Sequence, residues 1–498
     1  MVKVCPQRVK WYLTVSCWIT LGLISLALLA ACGISQTTSP TAQAIQKKLP
    51  TAAITVLPSK PVKTSLPPTP TQASPQPAVT VDLQRQLIQF WYVREAGAED
   101  LAQKLVEEFN KTNRWGIRVE AVPHASSGVM DEALSSALQE KKLPALLAGY
   151  SHDLQYWNAA GILLADLQAY TEDPAWGLSS SDKQDFYPVI WTQDVLTQTG
   201  TTQSPVRFGL PWYRTGLVML YNQSWAKELG FNAPPTTPSQ FRQQACAAAK
   251  ANREDADKEN NGTGGWLIDR QPSALLSWIF AFGGQVEQSG QQGYQFDSPG
   301  SADALTYIHE LYTQGCAWWV EELDRHETFA NRQALFTTES LQDLVEQQAS
   351  FRQAGSQDAW MVLPFPSRQG GSLDVFGPSL AVLKSTSEKQ LAAWLFARWL
   401  VSPENQARWV LSSGTLPTRD SVLPLLKGEP GGSSQWKQAL GLLPYAHVEP
   451  AFASWRTLRW SLGDVLSQML SPGFKGSQIP ALLKSLDELA EEVQAQGR

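Results

Sequence analysis

From residue 82 onward the sequence predicts an α/β fold, with mainly parallel sheets flanked by helices. Apolar runs of strand length alternate with segments of helical period, the pattern of strand–helix–strand crossovers. Prolines punctuate the junctions, as at Pro234, Pro235 and Pro238. At 43% hydrophobic and 17% charged residues, the chain is long enough and apolar enough for two or three domains with real cores.

The elements follow in order. Leu87-Ile88-Gln89-Phe90-Trp91-Tyr92 reads as a buried strand, and Leu101, Leu105, Val106 and Phe109 then recur at helical spacing. Ile117, Val119 and Ala121 alternate with polar residues, as in a half-buried strand. Met130, Ala133, Leu134, Ala137 and Leu138 give a second helix face, and Ala145-Leu146-Leu147-Ala148 a third strand. Such a succession makes a parallel sheet, whose ligands bind at the carboxyl ends of the strands. Gly149, Tyr150, Ser151, His152 and Asp153 stand at such an end. Leu217-Val218-Met219-Leu220-Tyr221 is strand-like and is followed by helix signals to Leu229-Gly230, with a further helix near residues 241–250. Ser387 and Gln390 have capping-box spacing ahead of Leu391 and Trp394, and Ser402-Pro403-Glu404 reads as a fresh helix start. No repeat of solenoid period occurs.

Two segments of different composition precede this region. Lys3, Arg8 and Lys10 charge the tip, residues 11–31 carry no charge, and Leu29-Ala30-Ala31-Cys32 closes the run. Small residues before a cysteine resemble the lipobox of bacterial lipoproteins, which implies a signal peptide over 1–31 and a lipidated Cys32. An uncleaved anchor helix is the alternative, since about 20 apolar residues can span a bilayer. The expected location is the cell envelope, outside the cytoplasm on the periplasmic face, with the chain lipid-anchored to a membrane. Residues 32–81 are rich in Thr, Pro, Gln, Ser and Ala and cannot bury enough apolar surface to offset chain entropy. They predict a disordered tether with a reach of roughly 150 Å. The net charge of −6 argues against a nucleic-acid partner. Cys246 and Cys316 remain once the leader and Cys32 are set aside, and a disulfide and two buried thiols are both open.

Several stretches, collinear over about residues 85–490, resemble extracellular solute-binding proteins, the family that includes maltose-binding protein. They are Gly209-Leu210-Pro211-Trp212 through Gly216-Leu217-Val218-Met219-Leu220-Tyr221-Asn222, then Leu229-Gly230-Phe231 with Pro234-Pro235-Thr236-Thr237-Pro238. Phe329-Ala330-Asn331-Arg332-Gln333-Ala334-Leu335-Phe336, Phe376-Gly377-Pro378-Ser379-Leu380-Ala381-Val382 and residues 392–419 continue the match. The resemblance implies a two-lobe periplasmic-binding-protein fold joined by hinge strands, with 82–210 plus 375–425 as first lobe and 211–374 plus 426–498 as second. It implies a monomer that captures a small-molecule solute, a carbohydrate, in the cleft and hands it to the permease of an ABC importer, with no cofactor.

A neutral sugar needs aromatic plates and many hydrogen-bonding groups, and twenty tryptophans suit stacking, although most should be core or surface filler. Trp455, in Ala451-Phe452-Ala453-Ser454-Trp455-Arg456, matches a stacking tryptophan of the maltose-binding type; a structural tryptophan on a helix face is the other reading. Asp153 would accept sugar hydroxyls or cap a helix, and Tyr150 would stack or pack nearby. Trp212 and Tyr213 occupy the crossover at the cleft floor. Glu339 and Ser340 sit where the family often presents an aromatic that is absent here. Gly377 offers backbone amides or a tight strand start; Trp278 and Arg456 are weaker candidates. A phosphorylated polyol such as glycerol 3-phosphate, held by Arg214 or Arg456, is the alternative ligand, and a secreted carbohydrate-active enzyme the alternative class.

Asp255-Ala256-Asp257-Lys258-Glu259-Asn260-Asn261-Gly262 alternates like a calcium loop, but a register from Asp257 puts Ile268 where a bidentate Glu belongs, so no metal is expected. His309-Glu310 and His326-Glu327 are followed by Thr313 and Ala330 rather than the histidine a zinc protease needs. With no Gly-x-Ser-x-Gly elbow and no P-loop, the expectation is a binding protein, not an enzyme.

Overall fold

The computed structural model describes residues 82–196, 205–288, 293–320, 324–368, 370–428 and 434–496. The leader, Cys32 and the Pro/Thr-rich segment lie outside them. Along the chain, β1 (Leu87–Val93), β2 (Arg118–His124) and β3 (Leu146–Tyr150) pair in parallel, connected by α1 (Glu99–Thr112) and α2 (Ser127–Glu140). A short antiparallel pair, β4 (Val195–Leu196) and β5 (Val206–Arg207), precedes β6 (Leu210–Pro211). The next six strands are β7 (Thr215–Asn222), β8 (Gly264–Leu267), β9 (Ala317–Trp318), β10 (Ala334–Ser340), β11 (Trp360–Leu363) and β12 (Leu373–Phe376). Finally come β13 (Pro378–Val382) and β14 (Ala446–Val448).

These strands build two main sheets. The first has the order β2-β1-β3-β13-β6; the second has the order β14-β12-β7-β10-β8-β9, with β11 also on β7. Each holds one reversed strand. β13 is antiparallel to β3 and β6, and β7 is antiparallel to β10, β11 and β12. The other pairings within the two sheets are parallel. The chain passes to the second sheet through residues 212–214 and returns through Gly377. A Cβ on Gly377 (φ +155°) would lie 2.6 Å from the Tyr213 carbonyl oxygen and 2.9 Å from Arg214 Cα, so the crossings touch where only glycine fits. Arg214 fastens them. Its Nη1 donates to the carbonyls of Tyr213 and Pro378, both at 2.9 Å, and Nη2 donates to Ser379 Oγ at 3.1 Å.

The cores follow the apolar periodicity. Ile88, Phe90, Leu105, Phe109, Trp394 and Phe396 meet in the first sheet's core. Phe396 packs edge-on to Phe90 and Phe109 at 5.6 and 5.0 Å, each contact adding about 0.5–1.5 kcal/mol beyond area burial. Met219, Trp266, Trp278, Leu305 and Phe336 form the second sheet's largest core. Cys246, in the helix Pro238–Glu254, and Cys316, just before β9, are joined by a disulfide, which settles the open alternative. It closes a loop of sequence separation 70, a constraint on the unfolded chain of roughly 4 kcal/mol in the chain-entropy account.

The strands expected from residues 87, 117, 145 and 217 start within two residues of those points, and Ser402 caps the helix Pro403–Ser413 with Pro403 first. The Ser387/Gln390 box is not formed. The helix Ser387–Leu400 is capped one residue earlier by Thr386, whose hydroxyl accepts from Lys389 N, while Gln390 Nε2 donates to Ser385 O at 2.7 Å. Threonine wins because it is the last extended residue, so its oxygen faces the free amides of the first turn. Among the described residues no helix is long and apolar enough to cross a membrane.

Candidate functional site: the cleft between the sheets

The carboxyl ends of β1 and β3 supply the first wall. β3 ends at Tyr150 and runs directly into α3 (Ser151–Ala159), so Ser151, His152 and Asp153 occupy a first helical turn with no loop between. Gly149 makes this tight turn possible: a Cβ there would lie 2.5 Å from the Trp157 ring, which packs on the strand end. A cavity of about 450 Å³, including its open mouth, forms among Glu95, Tyr150, Asp153, Trp157, Trp212 and Tyr213. Its aromatic side is continuous with the core. Trp212 stacks obliquely on Trp409 at 4.3 Å and meets Tyr213 edge-on at 5.0 Å, while its Nε1 finds no acceptor among the described residues.

Two polar bridges join this wall to the second sheet. In one, Tyr213 Oη donates to Glu95 Oε2 at 2.5 Å, and Gln342 Nε2 donates to Glu95 Oε1. Gln342 Oε1 in turn accepts from Thr215 and Ser340, at 2.8 and 2.9 Å. In the other, Arg456 on the helix Trp455–Leu458 pairs with Asp131 of α2 and reaches Asp153 Oδ1 at 3.2 Å. The Arg456 guanidinium also covers the Tyr156 ring at 4.5 Å. Tyr150 adds an edge-on contact to Phe376, the last residue of β12, at 6.4 Å.

Behind the second bridge lies a buried charged layer. Arg459 pairs with Glu449 at 2.8 Å, and Glu449 also accepts from Ser273 Oγ at 3.1 Å and Trp455 Nε1 at 2.8 Å. Asp374, in the middle of β12, is fully buried close to Ser273. Burial, reinforced by Glu449, holds its carboxyl well above the ordinary range. Burial pushes Asp153 up to about 6; Arg456 opposes the shift and Asp131 adds to it. Burial, then Arg459 and Arg456, drives His152 well below the ordinary histidine value, so its ring is neutral. Burial and the neighbouring Glu95 raise the Tyr150 and Tyr213 hydroxyls, which stay protonated donors. Chemically, the cleft offers aromatic faces, fixed donors and carboxylate acceptors from two separate sheets.

A family model described as bacterial extracellular solute-binding protein matches residues 104–440, more than half of the chain. The chain belongs to this family. No curated protein sequence matches it. Among solved structures, the cyclic alpha-maltosyl-1,6-maltose binding protein of Arthrobacter globiformis is similar at 16% identity and a TM-score of 0.68, covering 83% of this chain and 100% of its own. The sugar-binding protein MalE of Xanthomonas citri is similar at 22% identity and a TM-score of 0.68, covering 82% and 98%. UgpB of Mycobacterium tuberculosis, solved with glycerophosphocholine, is similar at 15% identity and a TM-score of 0.60, covering 82% and 99%. At these identities the likeness is one of fold, the two-lobe periplasmic-binding-protein architecture.

Within this solute-binding protein, Tyr150, Asp153, Trp212 and Tyr213 come together around one cavity. Arg456 and Ser340 reach the same region from the second sheet, through Asp153 and Gln342 respectively. Gly377 lies at the chain crossing rather than in the cavity wall. Trp455 is elsewhere: fully buried, it stacks on Tyr294 and Phe296 at 5.9 and 6.4 Å in the second sheet's core. Trp278 is likewise core, against Phe241, Trp266 and Phe365. Arg214 is fully buried with its guanidinium spent on backbone carbonyls. Glu339 faces His326 at 3.4 Å. In the 255–262 turn, Asp255 and Asp257 bond backbone and amide groups of the same turn. Glu95, Asp131, Gln342, Asp374, Glu449 and Arg459 were not singled out from sequence. Glu95 carried a readable signal, since it follows β1 as Tyr150 ends β3. Asp374 did too, as a lone acid inside Leu373-Asp374-Val375-Phe376.

Proposed function

We propose that this protein is the lipid-anchored substrate-binding subunit of an ABC importer, a monomer that captures a neutral sugar or oligosaccharide between its lobes and delivers it to the permease. In this reading residues 82–210 with 375–425 and residues 211–374 with 426–498 are the lobes, and residues 32–81 tether them to Cys32. One observation carries the ligand class: the Glu95–Gln342 and Asp153–Arg456 bonds span a cleft floored by Trp212 and Tyr213. Sugar hydroxyls can replace either partner in such bonds, while the C–H face of a ring lies on an aromatic side chain. A ligand gripped from both walls favours the arrangement that brings them together and shifts the population toward it. The cyclic alpha-maltosyl-1,6-maltose and the sugar named for two of the fold relatives agree with this reading.

The phosphorylated-polyol alternative has the glycerophosphocholine complex behind it, but less support in the side chains. Arg214 is held by carbonyls, and Arg456 sits between two carboxylates. Calorimetric titration of the full chain against neutral sugars and glycerol phosphodiesters tests the choice. A neutral sugar should bind with a Kd on the order of micromolar and be recovered intact. Binding confined to phosphodiesters, or cleavage of the sugar, would refute the reading.

A further inference from the structure

We propose that the cleft continues into an outer sugar subsite built around Trp460, which makes the ligand an oligosaccharide longer than the inner cavity alone holds. The inference rests on the carbohydrate reading above and deepens it. At the carboxyl end of β8 the chain runs through Ile268, Asp269, Arg270 and Gln271 into the helix Pro272–Ala281. A cavity of about 740 Å³, including its open mouth, lies there, walled in part by Asp269, Arg270, Pro272, Val320, Arg325 and Trp460. The Trp460 indole is 62% exposed, more than any other large apolar side chain described, and Val320 in the same cavity is 45% exposed. These two side chains give the cavity an apolar side that a ligand can cover.

The polar side of the cavity is already fixed in place. Asp269 accepts from Gln271 N at 2.9 Å and Thr338 Oγ1 at 3.0 Å and pairs with Arg325 at 3.2 Å. Arg325 Nη1 finds no acceptor among the described residues. Arg270 lies over the Trp319 ring at 4.3 Å and donates to Ser467 Oγ at 3.2 Å. An indole plate beside preset guanidinium and carboxylate groups suits a pyranose, which has an apolar face and a rim of hydroxyls. A hydrocarbon ligand would make no use of the charged rim, and a phosphate would meet Asp269 and ignore the indole.

The outer cavity adjoins the cleft. Trp460 follows Arg459 and Pro272 precedes Ser273, while Arg459 Nη2 and Ser273 Oγ lie 3.5 Å apart and both bond Glu449. The charged layer of Arg459, Ser273 and Glu449 therefore stands between the subsite and the inner cavity.

The test titrates the full chain, in a detergent without a sugar headgroup, with maltose and with maltohexaose. Trp460→Ala should lower the maltohexaose affinity about tenfold more than the maltose affinity. Asp153→Asn, in the wall of the inner cavity, should weaken both sugars together. Circular dichroism and the thermal midpoint of Trp460→Ala should match the parent, because the indole is on the surface. Equal losses for both sugars in Trp460→Ala, or no loss, would overturn the subsite and leave the carbohydrate reading standing. A parent protein that binds neither sugar overturns the maltose-type reading and the subsite with it.

Discussion

The two walls of the cleft occupy equivalent positions, each at the carboxyl edge of a mainly parallel sheet with one reversed strand, yet their chemistry differs. The first wall is aromatic. Tyr150, Trp212 and Tyr213 stand around two carboxylates, Glu95 and Asp153, in a cavity continuous with the core. The second is ionic, with Arg459, Glu449 and Asp374 buried together and Arg456 extended across to Asp131 and Asp153. Aromatic side chains can be buried at little conformational cost, whereas buried charges are expensive unless they are paired. The second wall therefore carries its own counter-ion in Arg459, while the carboxylates Asp131 and Asp153 of the first are balanced by Arg456 from across the cleft. Shape is set on one side of the cleft and charge balance on the other.

This contrast can be broken most forcefully at Arg459. Arg459→Met leaves Glu449 buried without its cation, and urea unfolding should report a loss of about 3–5 kcal/mol. A loss below about 1 kcal/mol would mean that the ionic wall is balanced by something else. Tyr213→Phe makes the matching cut in the aromatic wall. It removes one donor to Glu95 and keeps the ring, so the same measurement should show about 1–2 kcal/mol. A cost equal to that of Arg459→Met would erase the distinction.

A third test sharpens the comparison through pH. Asp153 titrates near 6 in the fold against 3.8 for an ordinary aspartate. Its protonated form is favoured by folding, so the stabilisation is complete below pH 3.8 and is lost as pH rises through about 6. Thermal midpoints across that window should fall less steeply in Asp153→Asn than in the parent, with Arg456, Asp131 and Arg459 left in place. Parallel slopes would show that Asp153 is not the group responsible.

Much of the fold was legible because local pattern and tertiary role agree there. The runs at 87–92 and 145–148 became β1 and β3, and the rule that ligands gather at strand ends led to Tyr150 and Asp153. Pairing across the cleft was not legible. Arg456 and Asp131 are 325 residues apart, and Gln342 and Glu95 are 247 apart, separations at which no sequence period carries information. Trp455 illustrates a further limit. Its motif suggested a stacking plate, but the indole N–H is donated to Glu449 and its faces are taken by Tyr294 and Phe296. Whether a tryptophan faces a cleft or a core depends on the helix rotation, which is set by neighbours far along the chain. The cysteine pair stayed open for the same reason, since only the packing of the helix Pro238–Glu254 beside β9 brings the sulfurs together.

The position of β13 governs the order in which this protein can be made. β13 lies between β3 and β6, and β6 has no other partner in its sheet. While the chain emerges from an export channel, β1, β2 and β3 can pair early, but β3 keeps an open edge and β6 waits unpaired. That edge stays available for wrong partners until the whole of the second sheet up to β12 has been delivered and β13 follows. The half of the molecule that is synthesised first is thus completed late, and a holding factor that shields the β3 edge during export would act on the most vulnerable stage of its biogenesis.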